Sequence, residues 1–349
     1  MKNFTARWRI LFLCKSMATR WGIAGAGRIS HDFAASVNVL PKSEHRLVAV
    51  AARDPKRAQE FAKSHGVESS HGSYEELARD KNVEIVYIGT LNTSHFEIGQ
   101  MMLNAGKHVL CEKPLTMNLE QTKKLIELAR AKGLFLMEAI WSRCFPAYET
   151  LRQELAKGTI GQVRQLSVTF GHDISAVDRL KMKALGGGSI LDLGVYVIQL
   201  ACLVFDHERP VEIKAAGYLN EEGVDLSMSA SLVYKDGRTA SIATQTTCLA
   251  PNDASIIGTK GWISLPLFWA PTEIVLPGGV HQRVTLPETK LPLFHINSAG
   301  LHYEAMEVRE CLKKGLKESP KVTHAHSLLI AEIEDELRRQ IGVVYDQDK

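Results

Sequence analysis

Residues 20–36 read RWGIAGAGRISHDFAAS, and few folds accommodate such a stretch. An apolar run of strand length enters a tight turn at Gly25, Ala26 and Gly27, and a helical pattern starts at Arg28 and Ile29. In that order, strand, glycine turn and helix start bring free backbone N–H groups and the positive end of the helix dipole to one point. That point is a cradle for a pyrophosphate. The spacing is Gly-x-Gly-x-x-Ser, with Ser30 where a third glycine or alanine is usual. Serine is the next smallest choice and keeps close packing of helix on strand feasible.

The chain up to residue 140 repeats the theme. Helical patterns at residues 28–40, 55–65, 74–79, 95–105 and 119–132 alternate with apolar strand-like runs at 45–52, 83–89, 108–111 and 134–138. The run VEIVYIG is continuous enough for a strand buried on both faces. Such alternation predicts a doubly wound α/β domain. After Trp141 the pattern changes. A helix is expected at 148–157, then strands at 162–172, 211–220, 226–234, 239–248 and 254–265, with period-two alternation and an Asp236-Gly237 turn. One helix interrupts them at 189–205, and two close the chain at 301–314 and 324–340. The expected architecture is therefore a Rossmann domain (17–140) joined to an α+β domain (141–349) with a large, open, mainly antiparallel sheet. A broad apolar sheet with too few helices to cover it points to a homodimer through the open face.

Residues 1–16 stand apart from this plan. The first twenty residues carry five Lys or Arg and no acid, whereas the whole chain is only +3, so the body is slightly acidic and is no basic nucleic-acid binder. The apolar run 10–14 is too short to span a bilayer. A basic, acid-free start is the composition of a mitochondrial presequence. The preferred reading is an extension upstream of an alternative start at Met17, with disorder before about residue 18 and a cytoplasmic location. Six cysteines with no close-spaced pair read as reduced thiols and not as a zinc or disulfide framework.

Several residues stand where chemistry needs them. Arg53 comes just after the second strand, where an acid would bind the ribose hydroxyls of NAD. A guanidinium there pairs with a 2′-phosphate and favours NADP, although Asp54 one residue later leaves NAD open. Thr90 and His95 lie at a strand-to-helix junction facing the nicotinamide or substrate. Glu112 and Lys113, in CEKP, come at the carboxyl end of the next strand. Lys113 is placed to bond a reacting hydroxyl, or is a plain surface lysine. Gly186–Gly188 and Ser189 open a helix with Asp192 and Tyr196 four residues apart on one face, either a proton-transfer pair or a capping pattern with a packed tyrosine. Free tyrosine titrates near pH 10, so the Lys113 ammonium is expected to lower the Tyr196 pKa. Trp141, with Arg143 and Phe145, marks the domain crossing, where the three are expected to form one wall of the cleft, and Arg164 and Phe170 lie on the first strand beyond it. Glu304 and Glu307 read as helix surface, and His324 and His326 lack a third ligand for a metal. Gathered, these readings assign Gly25, Gly27, Arg28, Ile29, Arg53, Thr90, His95, Glu112 and Lys113 to NADP. Trp141, Arg164, Phe170, Asp192 and Tyr196 are assigned to a small-molecule substrate, with no metal and no membrane.

The ordered set GAGRIS, VAARD, CEKPL, LFLMEAIWSR and GGGSILDLGVY resembles the glucose–fructose oxidoreductase/inositol dehydrogenase family, and within it the dimeric dihydrodiol dehydrogenases. The similarity runs from Met17 to the final DQDK. It implies NADP+-dependent oxidation of trans-1,2-dihydrobenzene-1,2-diol to catechol and of the pentose D-xylose to its lactone. It also implies a dimer through the sheet face. Lys113 would be the EKP lysine, and Asp192 and Tyr196 the DLGxY pair, with Tyr196 the acid/base. Many relatives carry histidine at that last position, so tyrosine favours the dihydrodiol branch.

Overall fold

In the computed structural model, which describes residues 18–349, β1 (Thr19–Ala24) runs straight into the glycine turn and α1 (Arg28–Val37) leaves it. The expected disorder before residue 18 lies outside the described residues. The chain continues through β2 (His45–Ala51), α2 (Pro55–His65), β3 (Ser69–His71), α3 (Tyr74–Arg79), β4 (Ile85–Ile88), α4 (His95–Asn104), β5 (His108–Glu112), α5 (Leu119–Lys132) and β6 (Leu136–Ala139). The six strands form one parallel sheet in the order β3-β2-β1-β4-β5-β6. The order reverses between β1 and β4, so the crevice of the open sheet lies at the carboxyl ends of those strands. Both faces are covered: Trp21, Ile23, Val48, Val50, Val86, Ile88, Val109 and Leu110 are all fully buried. Each such side chain contributes about 1.5–3 kcal/mol of burial.

The second sheet has eight strands in the order β14-β13-β12-β11-β7-β10-β9-β8. Its strands are β7 (Val163–Gly171), β8 (Glu212–Leu219), β9 (Asp225–Val233), β10 (Thr239–Gln245), β11 (Asp253–Gly258), β12 (Gly261–Pro266), β13 (Glu273–Leu276) and β14 (Val280–Arg283). Every pairing is antiparallel except β7 with β10. The β9–β10 turn holds Asp236 at φ 61° and Gly237 at φ 71°, the left-handed pair that tight hairpins use. Residues 254–265, read as one strand, are a hairpin of β11 and β12. Gly261 turns at φ +153°, and a side chain on Gly258 would strike the Ile160 carbonyl.

Five helices accompany this sheet: α6 (Pro146–Lys157), α7 (Asp178–Lys181), α8 (Val195–Val204), α9 (Leu301–Lys313) and α10 (His324–Ile341). The apolar α8 packs under β7 and β10, and the long apolar stretch that contains it lies inside the fold. The last two helices return to the first domain, α9 against α1 and α10 against α5, while α10 also packs on α8. The opposite face of the sheet is bare. It is not the apolar surface expected, because its central row reads Ser264, Ser255, Ser167, Ser241 and Ser231 in register across five strands.

Candidate active site

Gly25 turns at φ +101°, and a Cβ there would lie 2.9 Å from the Gly89 carbonyl oxygen, so only glycine passes between β1 and β4. At Gly27 the nearest atom to an added Cβ is 3.8 Å away, which leaves the helix mouth open. No side chain caps α1, so the amides of its first turn face that opening without a partner from the cap residue. Ser30 is fully buried; its hydroxyl donates to the Gly89 carbonyl at 3.4 Å, and Ile29 packs beside the same glycine. Serine therefore does the packing work of the usual third glycine by pairing with a glycine on β4's exit.

Cations ring this mouth. Arg28 is exposed, with its guanidinium 5.4 Å from the centre of the Phe294 ring. Arg53 is exposed beyond β2. Arg57, which no sequence motif marks, reaches from α2 to donate to the Ala26 carbonyl at 3.1 Å. Asp54 is committed to capping α2, where it accepts from the Lys56 amide at 3.0 Å. Burial raises the pKa of Tyr74 beside these groups, while Arg53 and Arg57 pull it down. A glycine cradle, an uncapped helix start and two exposed guanidinia fit a nicotinamide dinucleotide, with the anionic groups at α1 and at Arg53 and Arg57.

Lys113 leaves β5 at a cis bond to Pro114 and enters the cleft between the sheets. Its Nζ donates to the Asp192 carbonyl at 2.7 Å, lies 3.3 Å from Asp192 Oδ1 and stands 5.0 Å from the centre of the Tyr196 ring. Burial pushes the Asp192 pKa up, but Lys113 and Arg179 outweigh it and hold the carboxyl down at about 2. Tyr196 Oη accepts from Trp141 Nε1 at 2.7 Å. The expectation that Lys113 lowers the Tyr196 pKa is overturned. Burial raises it well above the usual tyrosine range, Glu112, Asp192 and Glu304 add to the rise, and the Trp141 bond opposes them without prevailing. The ammonium is paired with Asp192 beside the Tyr196 ring, and burial keeps the Tyr196 hydroxyl protonated at neutral pH.

The helix carrying this pair is not the regular one expected. Ile190–Gly194 form a π-turn before α8, and Ser189 does not cap it. Ser189 Oγ donates to Asp225 Oδ2 at 2.7 Å and Ile190 N donates to the same oxygen at 2.7 Å, so a carboxylate from β9 caps the turn across the sheet. Burial pushes the Asp225 pKa up to about 6. The three glycines let the chain thread here: side chains on Gly186, Gly187 and Gly188 would meet Asn92, the Leu180 backbone and Asp225 in turn. Asn92 also donates to the Gly186 carbonyl at 2.9 Å, which joins the first domain to this loop.

Aromatic rings wall the cleft. Phe170 stacks on Trp269 with centroids 4.5 Å apart and meets Tyr196 edge-on at 5.5 Å; His172 stands edge-on to both Phe170 and Trp269 at 5.3 Å. Trp269 and His172 were missed from sequence. His172, just past the end of β7, could have been found as the residue two on from Phe170, whereas nothing local marks Trp269.

Five expectations fail on position. Arg164 is exposed and bonds the Asp236 carbonyl and Gln162; six extended residues, about 20 Å, separate it from Phe170. His95 is buried with both ring nitrogens against backbone carbonyls, Pro114 at 2.8 Å and Thr90 at 3.3 Å, and burial lowers its pKa to about 4. Neutral, it has one N–H to donate, and the shorter contact gives that donor to the Pro114 carbonyl, so the buried ring braces the EKP loop instead of facing a ligand. Glu112 turns inward, where it accepts from Tyr87 Oη at 2.6 Å and from the Lys113 amide at 3.2 Å, so it supports Lys113 from the core instead of meeting the cofactor. Glu304, read as surface, is fully buried with neither oxygen hydrogen-bonded, and burial raises its pKa well above the carboxylate range. Arg143, read as a cleft wall, is fully buried behind the cleft.

Known proteins share both this fold and these segments. Residues 19–140 match the family described as an oxidoreductase family with an NAD-binding Rossmann fold, and residues 148–264 match the GFO/IDH/MocA C-terminal domain. The chain is 46% identical over 333 residues to the trans-1,2-dihydrobenzene-1,2-diol dehydrogenase of Danio rerio, covering 95% of this chain and 99% of that one. It is 48% identical over 335 residues to the enzyme of the same name from Sus scrofa, covering 95% and 100%. The fold is shared with KijD10, a 3-ketoreductase from Actinomadura kijaniata solved with NADP and TDP-benzene: TM-score 0.78, 24% identity, 93% of this chain and 98% of that one.

Proposed function

The chain belongs to the GFO/IDH/MocA oxidoreductases and is an NAD(P)-dependent dehydrogenase; from that premise we propose that it oxidises trans-1,2-dihydrobenzene-1,2-diol to catechol with NADP+. The observation that carries this reading is the meeting of Lys113, Asp192 and Tyr196 beneath the stacked Phe170 and Trp269. A flat six-membered ring fits against aromatic faces, and its diol fits the charged floor.

When bound, the nicotinamide supplies the hydride acceptor. The chain's own residues do the rest. Lys113 Nζ, fixed by Asp192, is placed to donate to the reacting hydroxyl oxygen and to stabilise charge as it develops there. Once its own phenolic proton has passed to solvent, Tyr196 Oη as phenolate takes the hydroxyl proton as the carbinol hydrogen leaves. The Trp141 donor stabilises the phenolate that must form for this step. The phenol pKa lies above the usual range, so the oxidation rate should rise with pH through the neutral and alkaline range. The hydroxyketone product then enolises to catechol, which adds aromatic stabilisation. Arg53 and Arg57 support NADP+ over NAD+, since each guanidinium can pair with a 2′-phosphate.

A second reading takes D-xylose to its 1,5-lactone by the same proton and hydride steps. The charged floor of Lys113, Asp192 and Arg179 favours it, because adjacent hydroxyls bond such groups well. Five free cysteines among the described residues support a reducing compartment, taken as the cytoplasm. The bare serine row, with Trp262 63% exposed two residues from Ser264 on β12, supports a homodimer through that face. A substrate panel with NADP+ tests the main reading. Turnover of dihydrodiols is expected, and NADP+ binding with no turnover of dihydrodiols, pentoses or polyols would overturn it.

A further inference from the structure

Behind the cleft lies a closed ring of hydrogen bonds that the proton and hydride steps do not use. Arg143 sits two residues after Trp141, and Gln199 sits one helical turn after Tyr196. Arg143 Nε donates to Gln199 Oε1 at 2.9 Å and its Nη2 donates to the Gln199 carbonyl at 2.8 Å. Gln199 Nε2 donates to Tyr148 Oη at 2.7 Å, and Tyr148 Oη donates to the Phe268 carbonyl at 3.0 Å. The next carbonyl, that of Trp269, accepts from Ser142 Oγ, which returns the path to the turn it left. Arg143, Gln199, Tyr148 and Ser142 are all fully buried.

The guanidinium's remaining partners are the Lys321 carbonyl at 3.4 Å and His326 Nδ1 at 2.9 Å. A charge placed in the interior with neutral acceptors alone is a costly way to fill space, and an apolar side chain would pack there at less cost. A planar fork on two acceptors of one residue fixes rotation as well as distance. The fork therefore runs parallel to the Trp141–Tyr196 bond and holds the same turn against the same helix. Its extension through Tyr148 reaches the segment that carries Trp269.

Resting on the reading of this cleft as the substrate site, we infer that Arg143, Gln199 and Tyr148 are positioning residues whose ring sets the spacing between the Trp141–Tyr196 pair and the Trp269 wall, and thereby selects flat cyclic diols. The two halves of the ring act on different kinetic constants. The Tyr148 half locates the aromatic wall that binds the substrate, and the Arg143 half aligns the proton-transfer pair.

Two conservative variants separate these roles. Tyr148→Phe keeps the ring volume and removes the bond to Phe268. It should raise KM for the dihydrodiol roughly fivefold to tenfold, with kcat within about twofold of wild type and NADP+ affinity unchanged. Arg143→Lys keeps the charge and loses the fork. It should lower kcat about tenfold or more with a smaller change in KM. Near-ultraviolet circular dichroism reads the Phe170–Trp269 stack without turnover, and Tyr148→Phe should change that spectrum. A wild type inactive on every diol and sugar would fault the functional reading, and the spectrum would still decide the ring. Folded variants with wild-type kinetics and an unaltered spectrum would overturn the inference. So would KM, kcat and NADP+ affinity all worsening in step with a lowered melting temperature.

Discussion

Trp141 Nε1 donates to Tyr196 Oη at 2.7 Å, joining the turn that leaves the first sheet to the helix beneath the second. A donor on the phenolic oxygen stabilises phenolate over phenol, so this bond draws the Tyr196 pKa down against burial and the three carboxylates of Glu112, Asp192 and Glu304. Trp141→Phe should therefore move the pH dependence of dihydrodiol oxidation to higher pH and lower kcat at neutral pH by about tenfold. Stopped-flow oxidation rates over a pH series measure this. An unshifted profile would show that the indole does not tune the phenol.

Arg53 and Arg57 flank the mouth of the glycine turn while Asp54 is engaged at the cap of α2. Arg53→Ala should lower kcat/KM with NADP+ by about tenfold or more and leave kcat/KM with NAD+ nearly unchanged. The double variant with Arg57→Ala should widen the loss. Parallel losses with both coenzymes would place these arginines away from the 2′-phosphate.

Asp225 gives a pH signature of its own. Its carboxyl titrates at about 6 when folded, against an ordinary value of 3.8. The folded state thus holds the extra proton between about pH 4 and 6, and stability declines as pH rises through that window. Asp225→Asn keeps an oxygen for Ser189 and Ile190 and has nothing to titrate. Wild-type stability relative to the variant should fall by roughly 2–3 kcal/mol between pH 4 and 7. Urea denaturation at several pH values measures the difference; a constant difference would show that Asp225 is ionised throughout.

The serine row on the open sheet is the face the proposed dimer would use. Ser241→Arg at its centre should convert a dimer to a folded monomer in a sedimentation series. A wild-type monomer at micromolar concentration would contradict the dimer.

Much of the first domain was legible because its signals are local. A continuous apolar strand, a glycine turn and a capped amphipathic helix each fit within about a dozen residues, and Gly25, Ser30 and Lys113 carry their roles in their immediate neighbours. The second domain hid more. Its long strands show period-two alternation, but β13 and β14 have four residues each and too little pattern to register. The site hid where its determinants cross the chain. Asp225 caps a helix turn 35 residues earlier, and Trp269 reaches Phe170 from a separate loop. Burial was the other blind spot. Charged Glu304 and Arg143 read as surface or cleft because composition cannot say which helix face another helix will cover. The direction of the Tyr196 shift failed for the same reason: a nearby lysine is visible in sequence, whereas the desolvation that outweighs it is not.

The central claim is that Tyr196 carries the proton. Pre-steady-state hydride transfer from the dihydrodiol to NADP+, in wild type and Tyr196→Phe across a pH series, tests it most directly, with NADP+ affinity measured by fluorescence alongside. The variant should fold and bind NADP+ like wild type, transfer hydride about 10²-fold or more slowly, and lose the rise in rate with pH. A folded Tyr196→Phe enzyme with a near-wild-type transfer rate and pH profile would contradict it.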